Sequence, residues 1–417
     1  MNERTSIGRR IFTVVLILAL ALCGAFFEKV KEWFPWLIAL QLRSYSWISE
    51  REIRQPRANW VVAVEIDDKT FYDYMHLGEG DRTDRAKLGE LIRVASRAEA
   101  AVIALDMDLA QDSAESEKPR EEANCKLLDA ISSAVKDHHV PVILTTGFEP
   151  NGQQQTNIYK DDQLPYYGDR QVNYRARVGF DYAAEDLRKV PLAVDRMNSE
   201  GKTQEFSSFA LETVDAYEDI MGIIPRTRKR LSGPIADRVF LYTTFLSTDI
   251  PAVSAADILQ DVDAGRESTQ MNKLRHRIVL IGGHRKTRKG GAEWLDNYSL
   301  PPLELTGMYF QANYIEGLLD NRIKSPVSKP IAFILDVLVA LAMILYSRRA
   351  KSLLSRLVLL GVCFLPVLLA YIAAVNLGYV LDCVLPLLLL FLHAVIDHYI
   401  HLWKLARLGK ESLAHAH

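Results

Sequence analysis

The sequence predicts an extracytoplasmic α/β domain with a mostly parallel sheet, plus four transmembrane α-helices, one before the domain and three after. Three observations predict it. Apolar residues concentrate at the two ends of the 417-residue chain, while the middle is polar and charged. Four apolar stretches approach the length of about 17–25 residues that a bilayer needs. Between them, short buried-strand patterns alternate with helical ones, which is the signature of parallel strands joined by right-handed crossovers.

The first apolar stretch is Ile11 to Phe27, behind Arg4, Arg9 and Arg10. Its run is long, and Ala19-x-Ala21 lies inside the run rather than after it, so it reads as a retained anchor and not a cleaved leader. The others are Ile331 to Tyr346, Leu357 to Val375 and Leu381 to Leu402, close enough together to form a bundle. Arg348, Arg349, Lys351 and Arg356 fill one short loop, and Lys404, Arg407 and Lys410 fill the tail. The loop "NLGYVLD", Asn376 to Asp382, has no Lys or Arg. Basic loops stay in the cytoplasm. The tail is therefore expected inside, with that loop and the large domain outside a bacterial inner membrane. The expected division is 1–30 for the anchor, 31–329 for the outer domain, 330–402 for the bundle and 403–417 for a cytoplasmic tail.

The formal net charge of −2 argues against a general nucleic-acid binder. Cys23, Cys363 and Cys383 lie in or beside membrane segments, which leaves Cys125 alone in the outer domain. That domain has no internal disulfide and must rely on its apolar core. Cys125 falls in a helical pattern and is expected to be buried and inert.

Along the outer domain, Glu28 to Arg54 reads as a juxtamembrane helix interrupted at Pro35. Val61 to Ile66 is a strand ended by Asp67 and Asp68, with Asp68 placed to cap the next turn of helix. Arg85 to Arg97 is a helix, "AAVIALDMD" a strand reaching Asp106 and Asp108, Glu121 to Asp137 a helix, and "VPVILTT" a third strand. Asn151 to Asp169 reads as loop. "YRARVGF", Val239 to Thr244 and Ile278 to Ile281 read as strands, and "FSSFALETVDAY" and "LTGMYFQANYIEGLLDNR" as helices, the last starting near Thr306 or Gly307. Pro326 and Pro330 end the domain.

Two groups in the outer domain could carry chemistry. Ligands of parallel sheets sit beyond the carboxyl ends of the strands. If the first two strands are neighbours, Asp67, Asp68, Asp106 and Asp108 meet there, as a divalent cation site or an acid–base pair would require. The plainer reading is capping and pairing with arginines. Arg285, Lys286 and Arg288 follow "IVLIGG" and could face an anionic ligand with the loop amides. They could equally be solvated or rest on anionic lipid head groups. "LIGGHRKTRKGG" lacks both the P-loop and the dinucleotide-binding spacing. No Ser-His-Asp or Cys-His set stands out, and no cofactor is expected beyond that divalent cation.

In the membrane, His393, Asp397 and His401 recur at steps of four on one face of the last helix. A charge at mid-bilayer costs roughly 2.5–3.5 kcal/mol, so such residues face a partner. The face reads as a helix contact or proton-sensitive surface, or else as an interfacial polar stripe. Asp336 is expected to pair within the bundle.

The order of motifs resembles the second type of CHASE domain, an extracellular sensing module of bacterial cyclases and histidine kinases. "VVAVEIDDKTF" and "AAVIALDMDL" match its first two strands. "RKVPLAV" with "SSFALE", "ADIL" before "HRIVLIGG", Asp296, and "TGMYFQANYIEGLLDNR" follow in the family's order, over about residues 40–325. Met308 and Tyr309 stand where the family has Val-Glu, and "HRKTRKGGAEW" is more basic than the family pattern. The resemblance implies a membrane sensor or regulatory subunit that detects a small molecule or envelope protein. It also implies self-association through the membrane helices. The family's cytoplasmic kinase or cyclase is expected here on a separate effector, since residues 403–417 are too few to fold as one. The alternatives are a metal-assisted envelope hydrolase at the acids and a structural subunit of a membrane assembly.

Overall fold

The computed structural model describes residues 60–75, 83–109, 118–146, 157–159, 164–168, 173–180, 189–190, 192–197, 203–222, 241–242, 250–284, 297–300, 303–320, 322, 325–326, 372 and 379–380. The chain divides into two compact units, residues 54–323 and, together, residues 1–53 and 324–417. Apart from Ile372, the four apolar stretches and the juxtamembrane segment lie outside the described residues. Among the described residues, no helix is long and apolar enough to cross a membrane.

A seven-stranded sheet forms the middle of the unit of residues 54–323, and the expected parallel strands are present. They are β1 (Val61–Ile66), β2 (Val102–Asp106), β3 (Val142–Thr146), β5 (Asn173–Phe180) and β11 (Ile278–Gly283), and a parallel strand the sequence reading lacked, β10 (Ala252–Ser254), joins them. The order is β10-β1-β11-β2-β3-β5-β4, with the edge strand β4 (Tyr166–Gly168) antiparallel to β5. The stretch read as a loop thus supplies an edge strand. The strand read at 239–244 is described only as β9 (Leu241–Tyr242), in a small ribbon with β6 (Lys189–Val190).

Pleating divides the central strands between two apolar layers. Val62, Val64 and Ile66 of β1, Ile103 and Leu105 of β2, and Val279 and Ile281 of β11 pack on one face. The helices there are α2 (Arg85–Arg97), α3 (Lys118–Lys136), α5 (Ala255–Asp263) and the turn α6 (Met271–Leu274). Leu88, Leu91, Ile92 and Ala95 repeat at helical spacing along the buried stripe of α2. Asp84 starts that helix by accepting from the Ala86 amide at 2.8 Å.

The other face carries α4 (Phe209–Ile220) and α7 (Gly307–Leu319). The ribbon of β7 (Ala193–Met197) and β8 (Thr203–Ser207) leads into α4, whose N-cap Ser208 accepts from the Leu211 amide at 3.2 Å. The ribbon of β12 (Asn297–Leu300) and β13 (Leu303–Thr306) leads into α7. Nearly every residue of α7 from Met308 to Leu318 is buried, including Gln311, Asn313 and Glu316.

Two expectations fail. Cys125 lies on the exposed side of α3, because its neighbours Ala123 and Leu127 occupy the buried stripe. The first two strands are not neighbours, because β11 inserts between β1 and β2. In the remaining unit, β14 (Ser325–Pro326) pairs in parallel with β15 (Tyr379–Val380).

Gly179 of β5 lies against the start of α4, where an added Cβ would stand 2.7 Å from the Phe209 backbone nitrogen. Backbone cannot give way as a flexible side chain can. Gly179→Ala is expected to destabilise the 54–323 unit by about 1–3 kcal/mol in thermal or chemical denaturation.

Candidate functional site

The site follows from where the strands send the chain. β1 leads into α1 (Asp68–Thr70), a π-helical turn at Phe71–Met75 and then α2, all on the first face; β2 leads to α3 on that same face. Between them, β11 leads through β12 and β13 to α7 on the opposite face. Neighbouring strands that leave toward opposite faces open a crevice at their carboxyl ends, the usual ligand position in such sheets.

The last residues of β11 fit that opening. Gly282 is closed: a Cβ there would meet Met308 Cγ at 2.9 Å. Gly283 is open, with nothing within 4 Å of a Cβ built on it. Toward the carboxyl end of β2, the sheet is sealed instead. Ile158 N donates to Leu109 O at 3.2 Å, the Tyr159 hydroxyl to Thr145 O at 2.9 Å, and the Thr145 hydroxyl to Met107 O at 2.7 Å.

Four polar side chains converge at the open end. The Tyr309 hydroxyl donates to Glu65 Oε1 at 2.6 Å. His284 Nε2 stands 3.8 Å from the same oxygen, and its Nδ1 is 3.4 Å from Thr306 Oγ1. The His284 and Tyr309 rings meet edge to face with centroids 5.4 Å apart. The His284 amide donates to Ile66 O at 2.9 Å, which extends the β1–β11 ladder and aims the imidazole. Glu65 and His284 side chains are 22% and 25% exposed, so the group is reachable from solvent. Burial, then the Glu65 carboxylate, pushes the Tyr309 phenol well above its ordinary range, so it remains a donor. A carboxylate, an imidazole and a phenol together can accept from or donate to a polar ligand.

The acids named from sequence are placed differently from one another. Asp67, not Asp68, is the N-cap: it accepts from the Thr70 amide at 2.7 Å and the Thr70 hydroxyl at 2.6 Å. That hydroxyl in turn accepts from the Ala256 amide at 3.1 Å, tying the end of β1 to the start of α5. Asp68 is half-buried as the first residue of α1. Asp106 ends β2 opposite Gly282, and Asp108 is exposed beyond it. With β11 interposed, the two pairs are separated by two strand spacings, about 10 Å. Among the described residues, no group of three or more His, Cys, Asp and Glu could hold a metal ion. Arg285, Lys286, Arg288, Asp296, Asp336, His393, Asp397 and His401 lie outside the described residues.

Glu65, His284, Thr306 and Tyr309 were not singled out by sequence reasoning as a site. One signal was present: Glu65 is the lone charge in "VVAVEI", and a strand covered on both faces must give such a residue a partner.

A family model described as the CHASE2 domain matches residues 14–347. No curated protein and no solved structure matches the chain. The match spans most of the chain, which belongs to this family of extracellular sensing domains.

The Tyr309 phenol has an alkaline signature. Its pKa is raised in the fold above its ordinary 10.0, so its contribution is complete below that value and is lost as pH rises through the folded one. From about pH 9 to about pH 11, wild-type melting temperature is expected to fall further than that of Tyr309→Phe. Equal slopes would show that this phenol is not held protonated by the fold.

Proposed function

We propose that this CHASE2-family chain is a bacterial membrane sensor or regulatory subunit. Its outer unit binds an envelope ligand in the crevice at the end of β11, and its membrane segments pass the change to a signalling effector. The observation that carries this reading is the crevice itself: an open Gly283 beside Glu65, His284 and Tyr309, where adjacent strands leave toward opposite faces. Family membership supports sensing rather than catalysis. The polar group is small, as recognition by a few placed polar side chains requires.

The placement outside the membrane has its own support. β14 precedes the second apolar stretch, and β15 lies in the loop between the third and fourth. Their pairing supports a common side of the membrane for both points, which is what the distribution of basic residues implies. In this reading Asp67 serves as a helix cap, and Asp106 closes β2 beside Gly282. Asp108 and Asp68 beside them, with Arg285, Lys286, Arg288 and Asp296 beyond Gly283, would border a bound ligand. A ligand acts only through different affinity for two states, so binding must alter what holds the crevice.

Gly283→Trp tests the reading because it fills the opening without removing a contact. The variant is expected to keep its stability to within about 0.5 kcal/mol. Fractions of native envelope extract are expected to raise the melting temperature of the wild-type, full-length protein in nanodiscs but not that of Gly283→Trp. An equal rise in both would place the ligand elsewhere, and no rise from any fraction would count against a soluble envelope ligand.

A further inference from the structure

The final helix of the outer unit grips the first strand at two points. Near its start, Tyr309 donates to Glu65, close to the carboxyl end of β1. Near its end, Glu316 Oε1 accepts from the backbone amides of Trp60 at 2.9 Å and Val61 at 2.8 Å, where β1 begins. The distances are commensurate. Seven residues of helix span about 10.5 Å, and four residues of strand about 13 Å. Helix α7 therefore lies along β1 in the opposite sense, clamped above and below.

The lower clamp meets a need of the sheet. Ala63 donates its amide to Pro251 O, on the side of β10. Val61 faces the same side, since donors alternate along a parallel strand. But β10 pairs with β1 only from Ala63 onward. Glu316 supplies the missing acceptor. Its charge also reaches neighbours. Burial and then Glu316 push the Tyr217 phenol up, with Arg277 opposing. Burial pulls the Arg322 guanidinium down to about 10 against the pull of Asp320 and Glu316. Arg322 in turn closes the helix end through its amide to Gly317 O at 2.8 Å.

Between the clamps the helix is stiffened. Asn313 Nδ2 donates to Tyr309 O at 2.7 Å, and Met308 is seated against Gly282. Both ends of the outer unit are close in sequence to the lower clamp: the unit begins at Arg54, shortly before Trp60, and finishes at Ile323, next to Arg322.

We propose that α7 is a coupling strap: a change in the Tyr309–Glu65 bond at the crevice is delivered by the helix to the Glu316 clamp, where the chain enters and leaves the outer unit. The strap is a property of the fold and stands whether or not the crevice takes the ligand proposed above. Its action requires no new contact at the lower end, only a shift of α7 against β1 when the upper grip loosens.

Residue-resolved hydrogen–deuterium exchange on the full-length protein in nanodiscs tests this. Tyr309→Phe removes only the upper hydrogen bond, and Glu316→Gln weakens the lower clamp directly. Tyr309→Phe is expected to speed exchange at the Trp60 and Val61 amides about tenfold, with β3 amides unchanged. Unchanged Trp60 and Val61 exchange in Tyr309→Phe, with acceleration in Glu316→Gln, would overturn the strap. Acceleration in neither variant would also overturn it, because Glu316 would not be guarding those amides. Equal acceleration in β3 would overturn it as well, since general loosening would then explain the result.

Discussion

A buried carboxylate, Glu316, ties the start of the first strand to the final helix across 255 residues of sequence. A buried charge is expensive unless it is hydrogen-bonded, and its bonds to amides are each worth about 1.5–3 kcal/mol. Here the carboxylate and the strand solve each other's problem. β1 has a donor, the Val61 amide, that β10 is too short to meet, and α7 has a charge that must be satisfied. With this contact made, β1 can stand between β10 and β11, and α7 can lie buried on nearly all sides. The register of α7 on β1 then determines where Tyr309 stands, and so determines the crevice.

The crevice is a consequence of strand order rather than of any one motif. β11 is added late in the sequence yet sits between β1 and β2. Its flanking strands turn toward one face and it turns toward the other. The glycines at its end divide the labour. Gly282 admits Met308 and so brings α7 close, while Gly283 leaves the space beside His284 open. An imidazole and a carboxylate in partial contact with solvent can answer a ligand, and the hydroxyl of Tyr309 links that answer to the helix. In the proposed reading, recognition and transmission share one residue, Tyr309.

Local elements of the fold were legible from sequence. Strand β1 and helix α2 carry strong periodic patterns, and their bounds in the structure agree with the reading. The start of α7 at Thr306 and Gly307 was also legible from the turn chemistry. What escaped was non-local. No local pattern says that "IVLIGG" pairs between β1 and β2, so Asp67 and Asp106 were expected as neighbours. The same limit hid the Glu65–Tyr309 contact, although an isolated Glu in a buried strand carried a hint. The cap was misplaced by one residue because Asp67 and Asp68 are both good caps, and only the geometry of Thr70 selects Asp67. Cys125 was misread because its residue type suggested burial, whereas it falls off the buried stripe of Ala123, Leu127, Ala130 and Ala134.

The central claim is that the crevice and the lower clamp are energetically one system. A double-mutant cycle on the full-length protein tests it most directly, with Tyr309→Phe, Glu316→Gln and the double variant compared by reversible denaturation of the 54–323 unit. Coupling through α7 predicts that the double variant loses less than the sum of the single losses, by about 1 kcal/mol. Additivity to within about 0.5 kcal/mol would mean that the two grips act independently, and would contradict the account.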